Sequence, residues 1–80
     1  MNTEIRVGSV VRVTAGKEKG LLFAVIGQTD DRFIISDGRT RRLNKPKHKS
    51  KKHMMNLGVT LSDECFCSNR ELRRGLNNII

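Results

Sequence analysis

Aromatic residues are scarce in this chain, which has three Phe and neither Trp nor Tyr among its 80 residues. Proteins that bind single-stranded nucleic acid commonly stack the bases on aromatic side chains. The composition therefore argues against such a stacking platform. It also leaves the core to Val, Ile, Leu, Met and Phe, and a core this small can hardly spare the packing that a deep substrate cavity requires.

Cysteines and long apolar runs are scarce as well. Cys65 and Cys67 are the two cysteines, and cysteines one residue apart are poorly placed to form a disulfide with each other. A reducing compartment is the simplest inference. Residues 1–7 contain no apolar run of signal-peptide length, and no stretch of about 18 consecutive apolar residues follows. We therefore expect a soluble, cytoplasmic protein.

Acidic residues are missing from one segment, and the charge of the chain depends on it. Lys and Arg number 16, Asp and Glu number 8, and the formal net charge is +8. Residues 39–53 contain half of the basic residues and no acidic one, so the rest of the chain is balanced. This concentration indicates a surface for a polyanion. A solvated loop kept for solubility is the alternative, but solubility does not require one sign of charge in one segment.

The first half of the chain predicts short strands separated by turns. Val10–Val13 is rich in β-branched residues, Leu21–Ile26 is an apolar run of strand length, and Phe33–Ile35 has the same character. Ala15–Gly20, with a glycine on each side of a charged tip, predicts a hairpin-like loop. Asp30-Asp31 predicts the next turn, so this half indicates a small barrel or sheet roll.

The basic segment predicts one more strand and an irregular arm. Asp37-Gly38 is typical of a type I′ hairpin turn, in which both central residues need positive φ. We expect a fourth strand at Arg39–Leu43 with its basic side chains outward. Lys45–Lys52 should be an extended, irregular arm, because Pro46 donates no ladder hydrogen bond and the lysines repel one another. Residues 54–57 then offer a short closing strand.

The end of the chain changes to a helical period. Ser68 and Glu71 form a capping box, and Leu and Ile follow at helical spacing. We expect a helix from about Asn69 to Asn77 or Asn78 that docks its apolar stripe on the barrel. Gly75 should weaken this helix by about 1 kcal/mol relative to Ala.

The stretch GSVVRVTAGKEKGLLFAVI, residues 8–26, resembles the KOW motif. The resemblance continues through DGRTRRL, NKPKHK and KHM, and covers residues 7–54. This pattern is similar to the KOW-domain RNA-binding proteins of bacteria, which are themselves similar to a large-subunit ribosomal protein family of archaea and eukaryotes. The motif Cys65-Phe66-Cys67 lies outside what the resemblance predicts.

The resemblance implies a mainly β fold, a small SH3-like (KOW) β-barrel of about five short strands with a short C-terminal α-helix. Residues 1–58 would form the barrel with its basic arm at 39–53, and residues 59–80 a helical tail packed on it. It further implies a monomeric RNA-binding protein, ribosomal or ribosome-associated, that contacts structured RNA of the large subunit. No cofactor, metal, membrane or small-molecule substrate is expected. From the residues alone, the binding partner could be any polyphosphate, including DNA. The resemblance favours RNA.

The expected site has two parts. In the hairpin loop, Gly16 and Gly20 allow positive φ, while Lys17 and Lys19 place ammonium groups beside exposed backbone N–H donors, a combination that suits phosphate. The simpler alternative is an ordinary hairpin in which Glu18 pairs with a neighbouring lysine. The second part is the arm, preceded by the turn residue Gly38, with arginines for phosphates or bases and lysines as point charges. Its expected RNA-binding residues are Arg39, Arg41, Arg42, Lys45, Lys47, His48, Lys49, Lys51, Lys52 and His53.

Three alternatives remain. The chain could be a transcription or translation accessory factor whose barrel binds a protein, which exposed apolar residues around Phe66 and Ile79-Ile80 would favour. A zinc site could combine His48 and His53 with the two cysteines, although the one-residue spacer is unusual for paired thiolates. Catalysis has little support, because the carboxylate pairs Asp30-Asp31 and Asp63-Glu64 look like turn and helix-start chemistry. We expect no enzyme, and at least one thiol buried on an apolar patch.

Overall fold

The structure, a computed structural model, describes residues 5–79. Five strands are followed by one α-helix, and two short 3-10 helices lie at Lys51–His53 and Asp63–Phe66. The strands and the helix are β1 (Ser9–Val13), β2 (Leu22–Gln28), β3 (Arg32–Ser36), β4 (Lys47–Ser50), β5 (Met54–Thr60) and α1 (Asn69–Asn77).

All five strands belong to one antiparallel sheet in the order β4-β3-β2-β1-β5. The first strand therefore pairs with the last, as Ser9 opposite Thr60 shows. The register shifts in β1 and in β2, the latter between Val25 and Gly27, mark irregularities of the β-bulge type, and bulges increase the local bend and twist of a sheet. The expected fold class, a mainly β domain of the small SH3-like barrel kind with a C-terminal helix, is confirmed.

The predicted strands β1, β2, β3 and β5 are confirmed with boundaries shifted by one to three residues. Ala15–Gly20 lies in the connection between β1 and β2, and both of its glycines have positive φ, as expected. Asp30-Asp31 lies in the turn between β2 and β3. That turn is held by Thr29, whose hydroxyl accepts a hydrogen bond from Arg32 N.

Both faces of the sheet carry apolar side chains. One face forms an interior cluster, and the other forms a helix-side cluster beneath α1. The interior cluster consists of Val11, Val13, Phe23, Val25, Phe33 and Ile35. The helix-side cluster consists of Val10, Ala24, Leu72 and Leu76. Because neighbouring residues of β1 and β2 point to opposite faces, the run of valines in β1 supplies both clusters at once.

The helix α1 matches its predicted bounds. The Ser68 side chain accepts a hydrogen bond from Glu71 N, which caps the first turn. Leu72 is fully buried and Leu76 nearly so, and burying a leucine side chain contributes about 1.5–3 kcal/mol. The helix is therefore held mainly by its leucines against the sheet. No helix in the described part of the chain is long and apolar enough to cross a membrane.

The predicted fourth strand at Arg39–Leu43 is wrong, because those residues form bends and turns. The Asp37 carboxylate accepts hydrogen bonds from the backbone N–H groups of Arg39 and Arg41. The Arg41 carbonyl accepts from the N–H groups of Asp37 and Gly38 and from the Ser36 hydroxyl. These local bonds replace a strand ladder. A type I′ turn at Asp37-Gly38 is wrong as well, since Gly38 has positive φ and no non-glycine residue does within residues 5–79.

The prediction of an irregular arm is wrong for the centre of this segment, where Lys47–Ser50 forms β4 and pairs with β3. Pro46 immediately precedes the strand, so its missing N–H costs no ladder bond. The strand lies at an edge of the sheet, where lysines are common. The repulsion expected among these lysines is offset by a carboxylate on the β1–β2 loop.

Candidate nucleic-acid interface

The loop between β1 and β2 turns its carboxylate inward and its lysines outward. Lys19 N donates to the Gly16 carbonyl, and Leu21 N donates to the Glu18 carbonyl, which fixes a tight turn. Glu18 is only 5% exposed, whereas Lys17 and Lys19 are exposed. The loop therefore presents two ammonium groups to solvent around a buried acidic centre.

Glu18 holds the loop to the basic segment. Nε and Nη2 of Arg41 donate to Oε2 of Glu18 at 3.1 and 2.6 Å, and Nζ of Lys47 lies 3.6 Å from Oε1. The hydrogen bonds from Arg41, with the nearby charges of Lys47, Arg41 and Lys49, lower the pKa of Glu18 although its burial acts in the opposite direction. We call Glu18, Arg41, Lys47 and Lys49 the Glu18 cluster, which has three cations around one anion.

The lysines of β4 lie on the core-facing side of the sheet. Lys47 is paired with Ile35, and Lys49 with Phe33; residues paired directly across an antiparallel ladder share a face. Both lysines are half-buried, so their aliphatic stems cover apolar surface while their ammonium groups reach toward the loop. A Cβ on Gly16 would lie 2.7 Å from Nζ of Lys49. The end of this flexible side chain can move aside, so the positive φ of Gly16 is its main constraint.

Lys51 continues this pattern. Its Nζ lies 5.1 Å from the centre of the Phe33 ring, within the range of a cation–π contact. The loop 16–20, the turns at 39–45, β4 and the 3-10 helix that follows it together form one surface, which we call the basic face. The structure joins two basic segments that are separate in the sequence.

The predicted site residues divide into two groups on this face. Lys17, Lys19, Arg39, Arg42, Lys45, His48 and Lys52 are exposed. Arg41, Lys47, Lys49, Lys51 and His53 are half-buried, and the first four of these make the contacts given above. The simpler alternative for the hairpin, Glu18 paired with a neighbouring lysine, is not what the structure has: its partners come from the basic segment.

A shallow basic pocket lies within the turns of this segment. It has a volume of about 400 Å³, and its lining includes Arg39, Arg41, Arg42 and Lys45. A concave site lined by several cations attracts phosphate groups. The turn therefore brings Arg39, Arg41 and Arg42 to one pocket.

The same turns are pinned to the start of α1. Leu43 N donates to the Asn69 side chain, and Arg73 donates to the Gly38 carbonyl. A Cβ on Gly38 would clash with the backbone carbonyl of Asn69. Asn69, Arg73 and Gly38 thus fix the basic turn against the helix. No local sequence pattern predicts this contact, since its partners lie in different elements.

The sequence analysis also missed two arginines that line one cleft together with Arg39. Arg12, the charged residue within the apolar strand β1, and Arg73 of α1 line a cleft of about 570 Å³ together with it. A lone charge inside a valine-rich strand was the signal that could have pointed to Arg12. The charge of Arg73 was hidden in the balanced part of the sequence.

The residues considered above for zinc binding and for catalysis are spread over the surface and the helix-side region. Within residues 5–79, no three His, Cys, Asp or Glu side chains come together as metal ligands. Both cysteines are free thiols: Cys67 is exposed, and Cys65 is half-buried with its sulfur near Gly75, so the expected thiol burial is partial. The carboxylate pairs Asp30-Asp31 and Asp63-Glu64 are exposed.

The apolar residues that would favour a protein partner are largely covered. Phe66 and Ile79 are half-buried and pack against the helix-side cluster. Ile80 lies outside the described residues. The described part of this expected surface, Phe66 and Ile79, is therefore partly covered.

No protein-family model matches the chain, and no curated protein matches it either.

Proposed function

We propose that this chain is an RNA-binding protein of the KOW kind that holds structured RNA, foremost ribosomal RNA of the large subunit. It would act in the cytoplasm as a ribosomal or ribosome-associated protein. The observation that carries the proposal is the Glu18 cluster, because it joins the loop and the basic segment into one cation-rich face.

The half-buried and exposed cations have different roles in this proposal. Arg41, Lys47 and Lys49 build the frame, and their charge exceeds that of Glu18. The exposed cations, such as Lys17, Lys19 and Lys52, would contact phosphates. Contacts of this type position a nucleic acid without reading its sequence, so recognition would rest on the shape of the folded RNA.

The test compares two pairs of charge removals in a salt series, with purified large-subunit ribosomal RNA as the probe. Lys17→Gln with Lys19→Gln should lower the slope of log K on log salt by about 0.7–0.9 for each lost phosphate contact. The matched control is Arg70→Gln with Arg74→Gln. Those residues lie four apart on the helix face opposite the buried Leu72, and their removal should leave the slope unchanged.

An equal decrease of the salt slope in both double variants would mean that RNA binding is a diffuse attraction to a cationic protein and has no defined interface. An unchanged slope in the loop variant would remove the loop from the interface. Sedimentation of the protein with ribosomal subunits across the same salt series separates the ribosomal part of the proposal: retention on the large subunit at high salt is expected, and loss from every particle at modest salt would contradict it.

A further inference from the structure

The cleft lined by Arg12, Arg39 and Arg73 lies where α1 no longer covers the sheet. Arg12 is paired with Leu22 across β1 and β2, one row beyond the pairing position of Val10 and Ala24 on the same face. The earlier row is covered by the helix leucines. The next row faces the cleft instead, beside Leu76 at the C-terminal part of the helix.

The walls of the cleft combine apolar and cationic groups. Leu21, Leu22 and Leu76 supply the apolar part, and Leu21 remains 44% exposed. An exposed leucine next to a half-buried one leaves apolar surface for a ligand. The volume of about 570 Å³ lies within the range of about 300–1,000 Å³ that is usual for small-ligand pockets.

The charge of the cleft is positive. Asp37 is the acidic residue among the described lining residues, and its Oδ1 already accepts two backbone N–H groups, those of Arg39 and Arg41. Arg73 is held at the rim by its hydrogen bond to the Gly38 carbonyl, at 3.0 Å. A fixed guanidinium at the edge of an apolar floor suits a planar ligand that carries an anionic group.

We propose that this cleft receives a single unpaired nucleotide of the RNA held on the basic face, an inference that rests on the proposed function. A base can lie on the leucines and stack on a guanidinium plane, which serves as a stacking surface where aromatic residues are lacking. The phosphate of the same nucleotide would meet the remaining arginines. Arg39 lines both this cleft and the basic pocket, so the nucleotide would be continuous with the RNA backbone outside.

The experiment uses three RNA hairpins with one stem sequence: fully paired, with a single-nucleotide bulge, and with an abasic residue at the bulge. The intact protein should bind the bulged hairpin about tenfold more tightly than the other two, an effect near the low end of what a base stacked on an aromatic side chain contributes. Leu21→Ser and Arg12→Gln should each reduce that preference. Leu21→Ser should leave binding to the paired hairpin unchanged, since it removes no charge.

Lys52→Gln is the matched control, because it removes one exposed charge outside the cleft. It should weaken binding to all three hairpins equally. Thermal unfolding of each variant checks that the fold is retained, and two variants at separate positions keep the test decisive if one of them fails to fold.

The outcomes distinguish this proposal from the proposed function. Equal binding of the three hairpins, or equal binding of the bulged and abasic ones, would overturn the cleft proposal and leave phosphate-directed binding intact. A preference that persists in both cleft variants would overturn it as well. Absence of binding to any hairpin at low salt would overturn the proposed function, and the cleft proposal with it.

Discussion

Nε and Nη2 of the Arg41 guanidinium both donate to Oε2 of the Glu18 carboxylate, and Nη2 and Oε2 lie 2.6 Å apart. The side chain of Glu18 is nearly inaccessible to solvent, whereas the side chain of Arg41 is 35% exposed. The pair links the tip of the first hairpin to the turn that follows β3. Its removal should therefore affect the fold and the basic face together.

Glu18→Gln should destabilise the protein by about 1–2 kcal/mol at neutral pH, because three cations then surround a neutral amide. Urea unfolding measures this change. Glu64→Gln, the same substitution at an exposed site, is the control and should have little effect.

The same variant should lose part of the pH dependence of stability. The pKa of Glu18 lies below its ordinary value of 4.5 in the folded protein, so its contribution is complete above that value and is lost as the pH falls through the folded pKa. The difference in unfolding free energy between wild type and Glu18→Gln should be constant from neutral pH to about 4.5 and should shrink as the pH falls further. A difference that stays constant as the pH falls well below 4.5 would contradict the assigned cause.

Gly38→Ala should cost about 2–4 kcal/mol, since it combines a positive φ with a clash against the backbone of the helix start. Gly20→Ala isolates the first effect, because Gly20 also has positive φ but nothing lies within 4 Å of its Cβ position. The free energy of unfolding of that variant should fall by only about 1 kcal/mol. Equal losses in chemical denaturation would show that the contact between Gly38 and Asn69 contributes nothing.

Gly75→Ala should raise the free energy of unfolding by less than the gain of about 1 kcal/mol that helix propensity alone predicts. A Cβ on Gly75 would lie 2.8 Å from Sγ of Cys65. In a Cys65→Ala background the obstructing sulfur is gone, and the full gain should appear. A double-mutant cycle of unfolding free energies measures the coupling; additive effects would mean that the thiol moves aside without cost.

Lys47→Gln and Lys52→Gln should separate stability from binding. Lys47 contacts Glu18, so its loss should lower stability, by about 0.2–1 kcal/mol for a partly exposed pair. Lys52 is exposed, so its loss should leave the melting temperature unchanged and lower the RNA salt slope by about 0.7–0.9. The reverse assignment of the two effects would contradict the division of the basic face into frame and contact residues.

Much of the fold could be predicted because its signals are local. The β-branched run in β1 and the Ser68 cap of α1 each determine an element within a few residues. The segment from Asp37 to Ser50 was mispredicted because two explanations compete for its pattern. Alternating charge is typical of an exposed strand, but the Asp37 carboxylate sits where it can accept the N–H groups that a strand would use.

The site was predictable in composition but not in geometry. The cations were evident, yet the side chain that organises them, Glu18, is acidic and lies far away in the sequence. The cleft was hidden for the same reason, since Arg12, Leu21 and Arg73 come from three parts of the chain. Contacts of this kind follow from the register of the sheet and the docking of the helix, and neither is encoded in a local pattern.

The pairing of β1 with β5 determines when the chain can fold. Ser9 finds its partner only when Thr60 has been synthesised, and α1, which covers Val10 and Ala24, follows later still. The sheet is therefore completed by contacts that are distant in sequence, and small barrels dominated by such contacts fold in about milliseconds to seconds.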